Sequence, residues 1–371
     1  MVDWTFEDAE ASSGLHSIHP YPARFIPHIP RTLIEIFHPL VGGPVLDPFC
    51  GSGATLVESQ LAGIESCGID LNPIAALVSR VKTNPPRQRL GPLAEAAVET
   101  ARSTGHASPP NIPRLGHWFS PGATEALAKL TGIIHDVRQD SAQDALRVAL
   151  SRIIVRVSRQ DSDTRYAAVD RSVGEEDVYD AFVESARKLD STFEQEQANV
   201  FRSWAPCHVI ANDTLTVEPV DLPYDFGLIV TSPPYPNAYE YWLYHKYRMY
   251  WLGEDPIAVR QAEIGARAHY FKRNPATAAD FHWQMGKCFE LFRKVTLPEA
   301  LVCVVIGRSI IRGTVVDNAS ILVSAGHAHG FKLLTSGTRR IPATRKSINP
   351  RHGNVGEETV LVFQKTNHVD R

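Results

Sequence analysis

The chain has 371 residues, of which 43% are hydrophobic and 21% charged, and its formal net charge is −3. This composition is typical of a globular protein with two domains, or one domain with a large insertion, and it argues against a uniformly basic nucleic-acid-binding protein. No stretch of 18 uncharged apolar residues is present, so we expect no membrane span. Residues 1–8 show no leader pattern and the five cysteines form no Cys-x-x-Cys pair, so we expect a cytoplasmic protein with free thiols and no metal site.

The first part of the chain predicts alternating strands and helices. A short apolar run over residues 45–47 predicts a buried strand, and a helix is expected over residues 54–62. A second strand over residues 66–69 ends at Asp70, and a second helix begins at Pro73. The order of strand, glycine loop, helix, strand and acid is typical of the first half of a doubly wound α/β sheet.

Apolar runs in the second part predict five more strands of this sheet, over residues 208–210, 228–230, 300–306, 331–334 and 359–363. Between the two parts, helical periodicity covers residues 122–157 and 175–204. We therefore expect an α/β catalytic domain made of residues 1–84 and 207–371, interrupted by a largely helical inserted region of residues 85–206.

The loop after the first strand, Asp47-Pro48-Phe49-Cys50-Gly51-Ser52-Gly53, predicts a ligand-binding turn, because its glycines permit positive φ and close approach to the backbone. Asp70 follows Gly51 by 19 residues, where a carboxylate can accept hydrogen bonds from both ribose hydroxyls of a nucleoside cofactor. A dinucleotide is disfavoured, since Leu56 stands at the third glycine position and Asp47 would repel a pyrophosphate. Asp47 would instead suit the cationic amino and sulfonium end of S-adenosylmethionine.

A second motif, Thr231-Ser232-Pro233-Pro234-Tyr235, follows an apolar run and predicts a stiff turn at the carboxyl edge of the sheet. Proline lacks an N–H and has a fixed φ, so the carbonyls of this turn stay free as acceptors. The Ser232 oxygen and a neighbouring carbonyl can hold an exocyclic amino group, while Tyr235 offers its face to a flat base. An ordinary proline-rich turn that ends a buried strand is the structural alternative.

Together these motifs resemble those of the amino-methylating DNA methyltransferases, which form N4-methylcytosine or N6-methyladenine. Residues 19–25 resemble the segment that covers the methionine end of the cofactor, and residues 211–213 the segment that contacts the adenine amino group. The resemblance implies a Rossmann-like fold and the cofactor S-adenosyl-L-methionine. It implies a catalytic site at Ser232, Pro233, Pro234 and Tyr235. It implies a cofactor site at Phe25, Asp47, Pro48, Phe49, Gly51, Ser52, Gly53, Asp70, Leu71, Asn212 and Asp213.

The implied reaction is direct methyl transfer to the amino group of a base flipped out of double-stranded DNA. The motif with Ser232 resembles the cytosine-N4 type most, with adenine N6 as the alternative and guanine N2 of RNA as a more distant one. A non-enzymatic binding protein is disfavoured, because both loops and Asp70 are intact. The family also implies a role in restriction–modification or a related defence system, with a possible cognate restriction endonuclease; the oligomeric state is left open.

Three segments are candidates for contacting DNA. The basic run of residues 339–351 is expected to clamp the DNA backbone through Arg339, Arg340, Arg345 and Lys346. The inserted region carries arginines that could follow phosphates or lie on a solvated helix face, at positions 138, 147, 152, 156, 159, 165 and 171. The aromatic segment 239–248 is more simply interpreted as a core helix beside the catalytic turn.

Overall fold

A central seven-stranded sheet organises the fold. A computed structural model describes residues 4–6, 13–22, 25–163, 165–200, 205–237, 239–341 and 356–366 of the chain. Its strands, including those of two short hairpins, are β1 (Val45–Asp47), β2 (Ser66–Asp70), β3 (Gln160–Ser162), β4 (Arg165–Ala168), β5 (Cys207–Ala211), β6 (Phe226–Thr231), β7 (Thr296–Gly307), β8 (Ser309–Ile311), β9 (Thr314–Val316), β10 (Phe331–Arg340) and β11 (Glu357–Lys365).

Twelve α-helices accompany the strands over the described residues. They are α1 (His28–Val41), α2 (Ala54–Leu61), α3 (Pro73–Thr83), α4 (Leu90–Ser103), α5 (Leu115–Trp118), α6 (Pro121–His135), α7 (Asp140–Ile154), α8 (Glu175–Val200), α9 (Tyr241–Trp251), α10 (Pro256–Ala262), α11 (Ala278–Val295) and α12 (Asn318–Ala328). None of them combines the length and the apolar character that crossing a bilayer requires.

The strand order of the sheet is β10-β11-β7-β6-β1-β2-β5. The pairs from β7 to β5 are parallel, whereas β11 runs antiparallel between β7 and β10. Chain order therefore reverses at β1, which lies between β2 and β6. In an open α/β sheet this switch point opens a crevice at the carboxyl ends of the strands. The doubly wound α/β sheet predicted from the sequence is confirmed.

Both faces of the sheet are covered by helices. Side chains alternate along β1, so Val45 packs with the apolar residues of α1 and Leu46 with those of α11 and α12. Strand β6 is buried along its whole length, as expected for a strand covered on both faces. This packing fixes the carboxyl ends of β1 and β6, where the two sequence motifs lie.

Helices α4 to α8 and the β3–β4 hairpin form a helical layer against α3 and α9. The apolar core is continuous across this contact and includes Val78 of α3 together with Tyr247 and Trp251 of α9. The helices of residues 90–200 thus support α9, which borders the crevice described below. The division into a catalytic domain and an inserted recognition region stays a prediction.

Candidate functional site

A cavity of about 250 Å³ opens at the carboxyl edge of β1, β2 and β6. It brings together most of the residues that the two sequence motifs predict, namely Phe25, Asp47, Phe49, Gly51, Ser52, Asp70, Leu71, Asp213, Ser232, Pro233, Pro234 and Tyr235. The other predicted cofactor residues, Pro48, Gly53 and Asn212, do not line this cavity. Thr214 Oγ1 donates to the Pro48 carbonyl at 2.5 Å, and the exposed Asn212 accepts from the Asp213 backbone N–H.

The turn after β1 needs its glycines. Gly51 has φ +51° and Gly53 has φ +80°, in the left-handed region that side chains rarely adopt. A Cβ on Gly53 would also lie 2.8 Å from Ser79 Oγ of α3, so this residue lets the turn pack on the helix behind it. At Gly51 the nearest atoms to such a Cβ belong to the Tyr21 ring, at 3.6 Å. Gly51 therefore borders the cavity, whereas Gly53 is structural.

Asp70, at the end of β2, lies beside this turn. Its two carboxylate oxygens each accept a backbone N–H at 2.8 Å, one from Gly51 and one from Asn72. Each oxygen keeps a second lone pair, so both can still accept from a ligand. Burial raises the pKa of Asp70 to about 6 despite these bonds. The carboxylate is fixed in position at the rim between β1 and β2.

Asp47 connects the turn after β1, the predicted cofactor turn (residues 47–53), to the turn after β6, the predicted catalytic turn (residues 231–235). It is 2% exposed and accepts hydrogen bonds from Thr231 Oγ1 at 2.7 Å and from the Phe49 N–H at 3.1 Å. Burial raises its pKa to about 6. Since Thr231 is the first residue of the Thr-Ser-Pro-Pro-Tyr motif, this hydrogen bond joins the end of β1 to the end of β6.

A hydrogen bond from Tyr235 joins the catalytic turn to strand β11. The Tyr235 hydroxyl donates to Glu358 Oε1 at 2.7 Å, and Ser232 Oγ lies 3.5 Å from the same hydroxyl. Glu358 Oε2 in turn accepts from Arg339 Nη1 at 2.9 Å. Burial and the Glu358 carboxylate hold the pKa of Tyr235 well above its ordinary value, so the phenol keeps its proton. These four side chains form one hydrogen-bonded row along the cavity wall.

The structure corrects the interpretation of Arg339. This residue was grouped with a basic surface run, but it is 5% exposed, lines the cavity and forms an ion pair with Glu358. It is therefore not placed to clamp a DNA backbone. Arg340 is exposed and lies 3.7 Å from Glu357, whereas Arg345 and Lys346 lie outside the described residues.

Several arginines of the inserted region are engaged within the protein. Arg147 donates to the Leu252 carbonyl and to Glu254, and Arg159 to the carbonyls of Gly116 and Arg171. Arg171 itself donates to two backbone carbonyls, and Arg152 is partly buried. The side chains that are exposed belong to Arg138, Arg156 and Arg165.

Sequence reasoning missed Glu263, Ile341 and Glu358, which the fold brings into the cavity from distant segments. Tyr21, Tyr239 and Tyr241 also line the cavity; they belong to segments 19–25 and 239–248, which the sequence analysis named without assigning these side chains to the site. Tyr21 stacks on Tyr241 of α9, with ring centroids 6.0 Å apart. Glu263 accepts the backbone N–H groups of Tyr241 and Trp242, and burial raises its pKa to about 8. The aromatic segment thus forms a helix beside the catalytic turn, and that helix also contributes to the cavity.

Comparison with known proteins identifies a protein family with a similar sequence. Residues 3–78, which contain the β1 turn and Asp70, match the family model N6_N4_Mtase, described as DNA methylase. Over these residues the chain is similar to the amino-methylating DNA methyltransferases. This match confirms the predicted resemblance, and with it the predicted cofactor, S-adenosyl-L-methionine.

The individual relatives of this chain are distant. The Type II methyltransferase M.MvaI of Kocuria varians is 25% identical over 60% of this chain and 53% of its own length. M.MjaII of Methanocaldococcus jannaschii is 40% identical over 22% of this chain and 16% of its own. The alignments thus span about half of the first relative and less of the second. Among solved structures, the rRNA methyltransferase aviRa of Streptomyces viridochromogenes has 13% identity and a TM-score of 0.33, covering 93% of this chain and 88% of its own.

The cavity fits the family's cofactor. Asp47 is buried and Asp70 is half-buried, and among the described residues no lysine, arginine or histidine forms an ion pair with either carboxylate. A cationic sulfonium and ammonium would supply the missing counter-charge, and ribose hydroxyls would supply donors for the free lone pairs of Asp70. Phe25 and Phe49 add apolar surface to the same half of the cavity.

Proposed function

We propose that the protein is an S-adenosyl-L-methionine-dependent DNA methyltransferase that modifies the exocyclic N4 of a flipped-out cytosine. One observation carries this proposal: Asp70 of the cofactor turn and Ser232 of the catalytic turn line the same cavity. A methyl donor held at Asp70 and an amino group held at Ser232 would meet inside one cavity. Positioning of this kind is a large part of the catalysis of group transfer.

The row of hydrogen bonds at Tyr235 supports a role for Ser232 as an acceptor. The Tyr235 proton is committed to Glu358, so the phenol oxygen can accept the proton of Ser232 Oγ. Ser232 would then present lone pairs to the cavity. An acceptor there, together with the Pro233 carbonyl, would draw the amino hydrogens out of the ring plane and localise the nitrogen lone pair toward the methyl group.

The transfer would need no covalent bond between protein and base. A C5-cytosine mechanism requires a thiolate nucleophile. Cys50 lines the cavity, but burial and the nearby Asp70 and Asp47 hold the pKa of its thiol well above its ordinary value. Cys50 also lies in the cofactor turn rather than in the catalytic turn. Direct transfer to an amino nitrogen agrees with both facts.

The assignment of cytosine over adenine rests on Ser232, because the resemblance associates Ser-Pro-Pro-Tyr with cytosine N4. Adenine N6 is the second candidate, since a hydroxyl can accept from either amino group. Double-stranded DNA is the proposed partner, and a cognate restriction endonuclease is a further expectation from the family. Cytoplasmic location also stays a prediction.

The experiment measures transfer of tritiated methyl groups from S-adenosyl-L-methionine to unmodified duplex DNA and, in parallel, to total RNA. We expect label in DNA, and Ser232→Ala should lose at least about 10-fold of this rate while binding the cofactor normally, since it removes one acceptor. Label in RNA alone would overturn the proposed substrate class. Full activity of Ser232→Ala on DNA would remove the proposed role of the hydroxyl.

A further inference from the structure

The wall of the cavity opposite the cofactor half contains a buried ion pair. Arg339 of β10 and Glu358 of β11 are directly opposite each other in the antiparallel ladder, so the sheet register holds them together. Both line the cavity, and Arg339 is 5% exposed. Burying a cation costs free energy. Here the pairing of two strands holds the guanidinium of Arg339 in a fixed orientation.

The Arg339 guanidinium has unused hydrogen-bonding capacity. Its Nη1 donates to Glu358, whereas its Nε is buried and finds no acceptor among the described residues. A guanidinium carries five N–H donors in a planar fork. A buried donor without a partner costs free energy, so such a group at a binding cavity indicates an acceptor supplied from outside the protein.

The position of this guanidinium relates it to the acceptor base rather than to the cofactor. Glu358 joins Arg339 to Tyr235, and Tyr235 lies beside Ser232. The cation is thus part of the same row of side chains as the proposed amino-binding hydroxyl. Asp47 and Asp70, which would face the methyl donor, are on the other side of the catalytic turn, at β1 and β2.

We propose that Arg339 reads the flipped base by donating hydrogen bonds to the ring acceptors next to its amino group, N3 and O2 of cytosine. This inference rests on the proposed function and deepens it. Cytosine places two acceptors in succession beside N4. Adenine places one, N1, beside N6 and then a C–H, while guanine has an N–H donor, N1, on one side of N2 and a single acceptor, N3, on the other. A fixed cationic fork that donates twice in succession therefore favours cytosine over adenine and guanine.

Glu358 has a complementary part in this arrangement. It balances the charge of Arg339, holds the guanidinium in the wall, and keeps the Tyr235 ring in place for stacking on the base. Lysine could balance the charge of Glu358 as well. It could not present a planar pair of donors, so Arg339→Lys keeps the positive charge but removes the planar donor geometry.

The test compares kcat/KM on two duplexes that contain the methylation site, once sequencing of methylated DNA has located it. One carries cytosine at the target position and the other 3-deazacytosine, in which a C–H replaces the N3 acceptor. The wild type should prefer cytosine, and Arg339→Lys should reduce that preference by roughly 10-fold or more, the range for a hydrogen bond from a charged donor. Intrinsic differences between the two bases cancel in this ratio.

Lys332→Gln is the matched control, because it removes an exposed cation from the same strand and should leave the ratio unchanged. Retained affinity for S-adenosyl-L-methionine shows that each variant is folded. If Arg339→Lys loses that affinity, the double variant Arg339→Gln with Glu358→Gln is used in the same comparison instead. It replaces the ion pair by a neutral pair. We expect the same loss of preference.

Two results would overturn the inference. One is an equal preference for cytosine in wild type and in the folded Arg339 variant. The other is transfer to adenine N6 by the wild type, since O2 would then have no counterpart in the substrate. Failure of the proposed function is a different observation, because the wild type would then transfer no methyl group to DNA.

Discussion

Asp47 is buried and Asp70 half-buried, and backbone or hydroxyl donors rather than cations hold both carboxylates. Each has a pKa raised to about 6 by burial. A cationic cofactor favours their ionised forms, so it should bind fully only above this pKa and lose affinity as the pH falls through 6. The free site is therefore tuned to a ligand that brings positive charge.

The first prediction concerns this pH dependence. The affinity for S-adenosyl-L-methionine should fall by roughly 10-fold or more between about pH 7.5 and about pH 5, because two carboxylates become protonated. Asp70→Asn should bind more weakly throughout and show a shallower pH profile. Calorimetric titration measures both. A flat wild-type profile would contradict the ionised state assumed for the pair.

A second prediction concerns the stability of the protein without cofactor. Because the pKa of Asp47 rises from 3.8 to about 6 on folding, its stabilising contribution is present below 3.8 and lost as the pH rises through 6. Asp47→Asn keeps an acceptor for Thr231, so it should raise the free energy of unfolding at pH 7.5 by roughly 1–3 kcal/mol.

Urea denaturation at two pH values tests this expectation. The gain from Asp47→Asn should shrink near pH 4, where the wild-type side chain is protonated too. The same variant should bind the cofactor less tightly. A variant that is less stable than the wild type at pH 7.5 would show that the Asp47 charge is balanced in the folded protein.

At the scale of elements, the antiparallel strand β11 supplies Glu358 to a turn at the end of β6. The third prediction is that Glu358→Gln lowers turnover by roughly 10-fold, since the amide holds Tyr235 and Arg339 more weakly than a carboxylate does. Cofactor affinity should not change, because Glu358 does not contact the residues of the β1 turn in any described hydrogen bond.

A double-mutant cycle identifies Glu358 as a positioning residue for Tyr235. Tyr235→Phe keeps the ring but removes the hydroxyl, so Glu358→Gln should cost less turnover in that background than in the wild type. Tyr235→Ala should cost more than Tyr235→Phe, because it also removes the stacking face. Strict additivity of the two changes would mean that the bond between Tyr235 and Glu358 has no part in turnover.

Local patterns predicted the strands and the two turns well. Each parallel strand is a short apolar run that ends at a turn or an acid, which is why β1, β2 and β6 could be located from their sequences. Strand β10 was predicted to end near residue 334, but it continues to Arg340. Its polar second half carries no apolar run to reveal it.

The remaining part of the cavity depends on long-range pairing. Arg339 and Arg340 look alike within a basic run, but successive side chains of a strand point to opposite faces. One is buried against Glu358 and the other is exposed. That alternation could have separated them if the strand had been known. Glu358 and Tyr21 reach the cavity only through the sheet order and the packing of α9, which no single segment specifies.

At the scale of the whole molecule, the proposed DNA substrate would have to reach the cavity across a surface that the net charge of −3 does not make generally attractive. Arg340 is an exposed cation on the face of β10 opposite the cavity-lining Arg339, and it lies 3.7 Å from Glu357. The inserted region offers Arg138, Arg156 and Arg165 as further exposed cations, although Arg156 is paired with Glu184 and Arg165 with Asp161. We infer that Arg340 contacts a DNA phosphate.

The fourth prediction follows from this placement. Arg340→Gln should weaken DNA binding uniformly across sequences and reduce the slope of log Kd against log salt by about 1, the value for one phosphate contact. Fluorescence anisotropy over a series of salt concentrations measures the slope. Lys332→Gln is the control cation on the same strand. Equal slopes for wild type and Arg340→Gln would place Arg340 off the DNA.

The most direct measurement of the account as a whole is the identity of the methylated base. Unmodified DNA would be incubated with the protein and S-adenosyl-L-methionine, digested to nucleosides and analysed by mass spectrometry. We expect the wild type to form N4-methylcytosine, and we expect Ser232→Ala and Arg339→Lys to form less of it. N6-methyladenine would keep the proposed transfer to an amino group but contradict the role given to Arg339, and DNA without any new methylated base would contradict the proposed function itself.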